Sequence, residues 1–473
     1  MATELSPRLV VARLDRIPIW SLPYLFVWVI GIGFLFTFYD IFDINVSFIQ
    51  TCTQIVSHCT PANASQFLGL PLLINLIGYV VGTLVLSPLA DRFGRRDMLL
   101  VTMAITGLGS LFTAFTNDLT TFTVARFITG IGVGADLAIV NTYINEVAPR
   151  SERARYTALI FIMSSLGAFF GIWVGLVLTT ASTPFPLGLP FAVAGPGFSI
   201  GWRIMYLIGA VLALIGVTLR LQIPESPRWL ITRGRVEDAD RVVRSMEERA
   251  SRGRSLPSPE PGLEVEMAAP RISYAEIFGN ARYVRRMLLL LAVWFIGYMT
   301  VYAYAIGLTV ALVTLSYPPP EAGMIAAVGT LGFILCAVFA YLWGERLERK
   351  RWLPISAAIT VVGAVILGLA AHNLAVAFIG SIVIFFGFNF WVPMTYSWST
   401  ENFPTRARTT GFALVDGVGH LGGGVGQLLV APLIPTLGPL ASMLLIAAFI
   451  VISSVIAQFG TPTRDQRLDL VSP

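Results

Sequence analysis

At 473 residues, 55% hydrophobic and only 12% charged, the chain has too little polar surface for a soluble protein of its size. Its mean hydropathy of +0.75 places it among polytopic membrane proteins. The formal net charge of +5 clusters in alternate loops, so it reads as a topology signal and not as nucleic-acid affinity.

Apolar runs of about 20 residues cross ~30 Å of hydrocarbon. Twelve such runs predict an all-α integral membrane fold with spans starting near Leu22, Gln66, Asp97, Leu119, Thr157, Arg203, Arg285, Ala322, Trp352, Leu374, Thr410 and Leu437. The expected organisation is a cytoplasmic N-terminus (1–20), a first six-helix bundle (21–222), a cytoplasmic linker with surface helices (223–284), a second six-helix bundle (285–460) and a cytoplasmic tail (461–473). With the N-terminus inside, all of the 32 Lys and Arg except Arg126 and Arg203 fall on the cytoplasmic side. The first run is too long for a signal-peptide core and no small-residue cleavage site follows it, so it is expected to be retained.

Within that first span, FTFYDIFDIN places Asp40 and Asp43 three residues apart in apolar surroundings. A carboxylate at membrane depth is costly without a partner, a proton or a wet cavity. The loop that follows holds Cys52 and Cys59, on the outside by this topology, where a short disulfide or two free thiols would fit. Cys336, inside the eighth span, is expected to be packing. The second span ends in Asp91, Arg92, Phe93, Gly94, Arg95 and Arg96, a tight turn in which Asp91 can sit at the N-terminus of span three. Glycines 130, 132 and 134 in span four allow close helix approach. No strand precedes them, so they are not a nucleotide loop.

Signals recur six spans apart, which marks an internal duplication. Span four exits through Glu146-Val-Ala-Pro149 and then Arg153-Ala-Arg155. Span ten exits through Glu401-Asn-Phe-Pro404 and then Arg406-Ala-Arg408. The end of span two is echoed by Glu345-Arg346-Leu-Glu-Arg-Lys350 after span eight. The linker run VEDADRVVRSMEERA has helical periodicity with alternating charge and predicts a surface helix. The only lysine, Lys350, is followed by arginine, so no P-loop exists, and three scattered histidines argue against a zinc enzyme. The chain is therefore read as a non-enzyme without cofactor, driven by an ion or substrate gradient.

GTLVLSPLADRFGRR, RFITGIGVGADLAIVNTYINEVAPRSERAR, IPESPRWL and ENFPTRARTTG together resemble the major facilitator superfamily. They are most similar to the branch of sugar porters, phosphate symporters, aromatic-acid and nicotinate transporters, and organic-ion transporters. The resemblance runs from about Gly31 to Gly424. It implies two six-helix bundles that rock about a central cavity, with the Asp91–Arg96 loop locking the halves in the outward-facing state. It also implies that Glu146, Arg153, Arg155, Glu225, Arg228, Glu345, Arg346, Glu401, Arg406 and Arg408 form an ion-pair gate on the cell side.

The deep polar residues are Asp40, Asp43, Arg126, Asp136, Asp416 and His420. At 1.5 Å per residue, Asp43 lies ~9 Å, Asp40 ~14 Å and Arg126 ~10 Å below the outer ends of their helices, so an Asp–Arg pair is expected. The sugar-porter resemblance assigns Asp40 as the partner, whereas the D-x-(Tyr/Phe)-D pattern of phosphate and aromatic-acid symporters takes in both aspartates. Two carboxylates so close do not both ionise easily, which suits proton coupling. By resemblance to phosphate symporters, Asp136 joins the proton or substrate site. His420 stands where related organic-ion transporters carry Arg for anions or Asp for cations, with Asp416 one turn earlier. That favours a neutral or cationic solute, or an anion bound when His420 is protonated.

The amides that bind hexoses in sugar porters are missing from spans five and seven. Aromatics stand in spans seven and ten instead, with Tyr298, Asn389 and Trp391 as the cavity candidates. The expectation is a monomeric, proton-coupled cell-membrane symporter with both termini cytoplasmic. Its substrate would be a small polar organic metabolite: an organic acid, nicotinate-like or sugar-like. The alternatives are an organic-cation or drug/proton antiporter and a transport-dead sensor of the same fold.

Overall fold

The computed structural model describes residues 6–17, 24–147, 153–251, 255–259, 273–403 and 408–463. Ten helices among them are long and apolar enough to cross a bilayer. A further span, the first in the chain, consists of Tyr24–Phe42 and Ile44–Ile55 and bends by 42° at Asp43. Span two runs through Ala64–Val81, a π turn at Gly82–Leu86 and Ser87–Phe93. Spans three to six are Arg95–Ala114, Leu119–Val147, Arg153–Thr179 and Gly201–Arg220. Span seven is Ala281–Ala305 continued by Leu308–Thr314, and spans eight to ten are Pro319–Trp343, Arg349–Gly368 and Leu374–Glu401. Span eleven comprises Arg408–Phe412, a π turn at Ala413–Gly417 and Leu421–Val430; span twelve is Ile434–Gln458. The twelve apolar runs are thus twelve helical elements, and the large apolar side chains left exposed, such as Leu108, Leu214, Leu288 and Val455, are suited to lipid.

Small residues set how closely the spans approach. A Cβ at Gly130 would collide with the Asn75 carbonyl, and one at Gly78 with the Phe127 carbonyl. Spans two and four therefore pack backbone against backbone, as small residues permit inside a membrane. Gly94 turns the chain into span three at φ +112, a conformation costly for other residues.

Spans one and seven occupy equivalent places in the two halves, and both break toward the same face. That face also carries the Cys52–Cys59 disulfide, with an S–S distance of 2.07 Å. It is called the disulfide face below. The opposite, terminal face carries helices Pro7–Asp15, Pro227–Thr232 and Val236–Ala250. The run expected as a surface helix is the last of these, but one side of it is buried. Val243 and Met246 pack with Val10 and Leu14 of the first helix, Ile17 just beyond it and Leu230 of the second in a separate apolar cluster.

Ion pairs tighten that cluster. Arg13 reaches Asp240 and Glu247, each at 2.5 Å, Arg16 reaches Glu247 at 2.6 Å, and Asp15 reaches Arg228 at 2.5 Å.

Candidate coupling and substrate site

Span one has two working faces, because residues three and four apart share a side of a helix. Phe38, Ile41 and Phe42 line a cavity between the halves. Asp40 and Asp43 turn the other way, into the interior of the first six spans, and are 2% and 0% exposed. Ser110 of span three donates its hydroxyl to Asp40. Arg126 of span four approaches the same carboxylate at 3.4 Å and donates to the Asp40 carbonyl at 3.1 Å. The carboxylate contact is long for a charge-assisted hydrogen bond, which typically measures about 2.7–2.9 Å. The guanidinium Nε lacks a partner, and the group lies 5.4 Å from the centre of the Tyr206 ring.

Neither carboxylate oxygen of Asp43 meets a donor at hydrogen-bonding geometry, and both are sealed from solvent. Arg126 therefore reaches Asp40, the deeper of the two aspartates between which the sequence left its partner open.

Asp136 lies elsewhere. Arg220, the last residue of span six and 0% exposed, grips its carboxylate with two nitrogens and also donates to the Leu99 carbonyl at 2.9 Å. Thr102 and Thr37 donate to Asp136 at 2.9 and 3.4 Å. This cluster ties spans one, three, four and six together, and Asp136 does not line the cavity. Sequence reading grouped Arg220 with the topology-setting cations. The available signal was Asp136 itself, since a deep carboxylate requires a partner.

The cavity holds about 100 Å³. Its polar lining comes from Tyr79, Ser164, Ser165, Tyr298, Tyr302, Asn389 and His420, and the remainder is aromatic or aliphatic. Asn389 and Tyr298 thus face it as expected. Trp391 does not: it is fully buried behind them, edge-on to Trp294 at 5.1 Å and to Tyr298 at 6.0 Å. Asp416 also stands behind the lining. It accepts from the Tyr298 hydroxyl at 2.8 Å and from the Tyr79 hydroxyl, across the interface between halves, at 3.3 Å. Tyr79 and the facing π turns of spans two and eleven were missed from sequence; such π insertions often accompany functional sites.

At the disulfide face the halves are latched. Asn45, two residues past the bend, donates to the Ala305 carbonyl at 2.6 Å and accepts from the Thr309 hydroxyl at 2.5 Å. Ser65 and Thr314 share a hydrogen bond of 3.0 Å, and the Trp173 indole donates to the Ala327 carbonyl at 3.1 Å.

On the terminal face the described gate pairs stay within their own halves. Arg95 bridges Asp91 and Glu146 at 2.7 and 2.8 Å, while Arg228 donates to the Glu146 carbonyl at 3.0 Å. Arg349 reaches Glu401 at 3.5 Å in the other half, and Arg346 lies over Trp343. The N-terminus of span three is occupied by Glu225, which accepts from the backbone N–H groups of Arg95 and Arg96 at 3.0 and 3.2 Å; Asp91 remains on the preceding helix. Burial pushes the Glu225 carboxyl up despite these N–H donors. Arg92 lies over Phe93. Arg406 lies outside the described residues, as do the side chains of Arg153, Arg155, Glu345 and Arg408.

Two helical bundles with broken spans around a shared cavity are the architecture of a membrane transporter. The family described as "Sugar (and other) transporter" matches residues 25–468, and the chain belongs to it, within the major facilitator superfamily. Its members are transporters, not enzymes.

The chain is 27% identical to the niacin transporter NiaP of Acinetobacter baylyi, over 98% of this chain and 99% of that one. It is 26% identical to the 4-hydroxybenzoate transporter PcaK of the same organism, over 86% and 85%. The partially occluded inward-open structure of the xylose transporter XylE from E. coli is similar at a TM-score of 0.70 and 20% identity, covering 94% of this chain and 99% of that one.

Proposed function

We propose that the chain is a proton-coupled symporter that imports a single-ring organic metabolite across the cell membrane, with the terminal face in the cytoplasm. The observation carrying this reading is Asp43: a sealed, partnerless carboxylate at the bend of a span whose other face lines the cavity. An anion there would cost several kcal/mol, so in this conformation Asp43 holds a proton. The latched disulfide face supports an inward-directed state. Loss of the proton toward the cytoplasm leaves two carboxylates around Arg126 in place of one. The Asp40 contact is long enough to be exchanged, and Arg126 draws the distal half of span one with it. That half carries Asn45, so the latch opens as the charge moves.

Substrate size follows from the cavity. A cavity of about 100 Å³ with an aromatic lining and few polar groups suits a small flat solute better than a disaccharide or a bulky drug. The niacin and 4-hydroxybenzoate transporters named above are relatives of that kind. The arginine-rich loops on the terminal face support its cytoplasmic placement.

The test is uptake of nicotinate, 4-hydroxybenzoate and xylose into proteoliposomes under an imposed pH gradient. Accumulation of a single-ring acid is expected, with Asp43→Asn abolishing accumulation while sparing exchange of substrate across the membrane. Undiminished accumulation in both Asp40→Asn and Asp43→Asn would refute the coupling assignment.

A further inference from the structure

Among the groups lining the cavity, His420 is the one whose side-chain type ordinarily titrates near neutral pH, and no Asp, Glu, Lys or Arg lines it. Its ring is held on three sides. Tyr79 of span two stacks on one face at 4.0 Å between centroids, Tyr298 of span seven covers the other at 4.1 Å, and Tyr302 stands edge-on at 5.9 Å. Nδ1 lies 2.7 Å from the Asp416 backbone carbonyl. A carbonyl only accepts, so Nδ1 carries a hydrogen and a neutral ring presents Nε2 as a bare acceptor. Nε2 has no protein partner, yet it is not among the atoms sealed from solvent, although the residue as a whole is 6% exposed. The edge bearing Nε2 is therefore the edge open to the cavity.

We propose that His420 Nε2 is the substrate's polar anchor and a second proton site, so that a ring carboxylate is carried with one proton more than the matching carboxamide. This rests on the single-ring reading above. A carboxylate has no donor to offer a bare Nε2 and finds no fixed cation in the cavity lining. Burying it unpaired would cost several kcal/mol. One proton placed between Nε2 and the carboxylate removes that conflict, whichever of the two atoms holds it. A carboxamide needs no such proton, because its N–H donates to neutral Nε2 directly.

The titratable groups around His420 are Asp416 on its own span, Tyr79 on span two, and Tyr298 and Tyr302 on span seven. Tyr396 of span ten interacts with Asp416. Of these, the Asp416 carboxyl is the nearest acid, with Oδ1 3.6 Å from Nδ1, and the stacked phenol faces favour a cation. Because Tyr79 belongs to the first half and the other groups to the second, the anchor sits on the seam that must part during transport.

The full-length protein in lipid nanodiscs would be titrated calorimetrically with nicotinate and nicotinamide, and with 4-hydroxybenzoate and its amide. Titrations in buffers of different ionisation enthalpy count the protons bound. The expected result is one more proton taken up with an acid than with its amide. Acid affinity should fall about tenfold per pH unit on the alkaline side, with amide affinity nearly flat. His420→Gln should abolish the extra proton taken up with an acid.

Equal proton counts for acid and amide in the wild-type protein would overturn the proposal and leave the single-ring reading standing. Retention of the extra proton in His420→Gln would overturn it as well. Absence of binding by all four compounds would remove the single-ring reading and the proposal together. Should His420→Gln fail to fold, the wild-type comparison of acid with amide still decides.

Discussion

Removing the Asp136 carboxylate would leave Arg220 charged, fully buried and short of its main partner. Breaking one side of a buried pair costs about 3–5 kcal/mol, so Asp136→Ala should melt well below the parent in detergent or nanodiscs. An apolar replacement of both residues should recover most of that loss. Asp43→Asn should behave oppositely: no partner is lost, and a neutral amide of the same shape stands in for a carboxyl that already holds its proton, so thermal stability should hold while coupling fails. A drop of several degrees in Asp43→Asn would show that the carboxylate has a structural partner. The contrast between these sites also shows what sequence can disclose. Asp40, Asp43 and Arg126 were legible because each interrupts an apolar run, where a charge demands an explanation. Arg220 ends its run beside a polar linker, and there a buried cation and a topology-setting cation look the same.

Helical spans were legible as elements because bilayer thickness fixes their length, and the glycines of span four announced close packing. The breaks were not. Span one bends at Asp43 and span seven at Ile306–Gly307 with no proline at either point, and a π turn shifts an all-apolar helix without altering any visible pattern. Those breaks create the short distal pieces that meet at the disulfide face, where Asn45 fills both of its hydrogen-bonding roles against span seven. Asn45→Ala removes both bonds and leaves the Ala305 carbonyl unsatisfied, costing the latched state on the order of 1–3 kcal/mol. The equilibrium should shift toward opening at that face. In cells, a cysteine introduced at cavity residue Ala305 should react several-fold faster with a membrane-impermeant maleimide when Asn45 is alanine. An unchanged labelling rate would mean that the latch is not what holds the face shut. The disulfide should help to order the same piece of span one: a loop closed over a separation of 7 residues is worth roughly 2–3 kcal/mol, and its reduction should lower the melting temperature.

Across the whole molecule, the two halves differ in what braces them. The first half has its terminal face strapped by helix Pro7–Asp15, and Asp15 holds the same Arg228 that donates to Glu146, the partner of Arg95. Docking of the first helix is thereby connected to the gate set of spans two to four. Glu247 is the shared anchor. Burial alone would push its carboxyl up, but hydrogen bonds from Arg13 and Arg16 outweigh that and hold it below the ordinary carboxylate range. A carboxyl lowered on docking contributes stabilisation that is complete above its undocked value, roughly pH 4.3, and is lost as pH falls through the docked value. The strap should therefore remain closed at neutral pH and loosen only under distinctly acidic conditions. Hydrogen exchange of residues 7–17, corrected for the intrinsic effect of pH, should show protection that collapses below that range. Glu247→Gln should have lower protection at neutral pH and little further loss on acidification, because the group that titrates is gone. Protection that fell just as steeply with acid in Glu247→Gln would assign the transition to another carboxylate. If Arg228→Ala loosened residues 7–17 while leaving the Arg95–Glu146 pair and transport unaffected, the strap would be a brace of the first half alone, without influence on the gate.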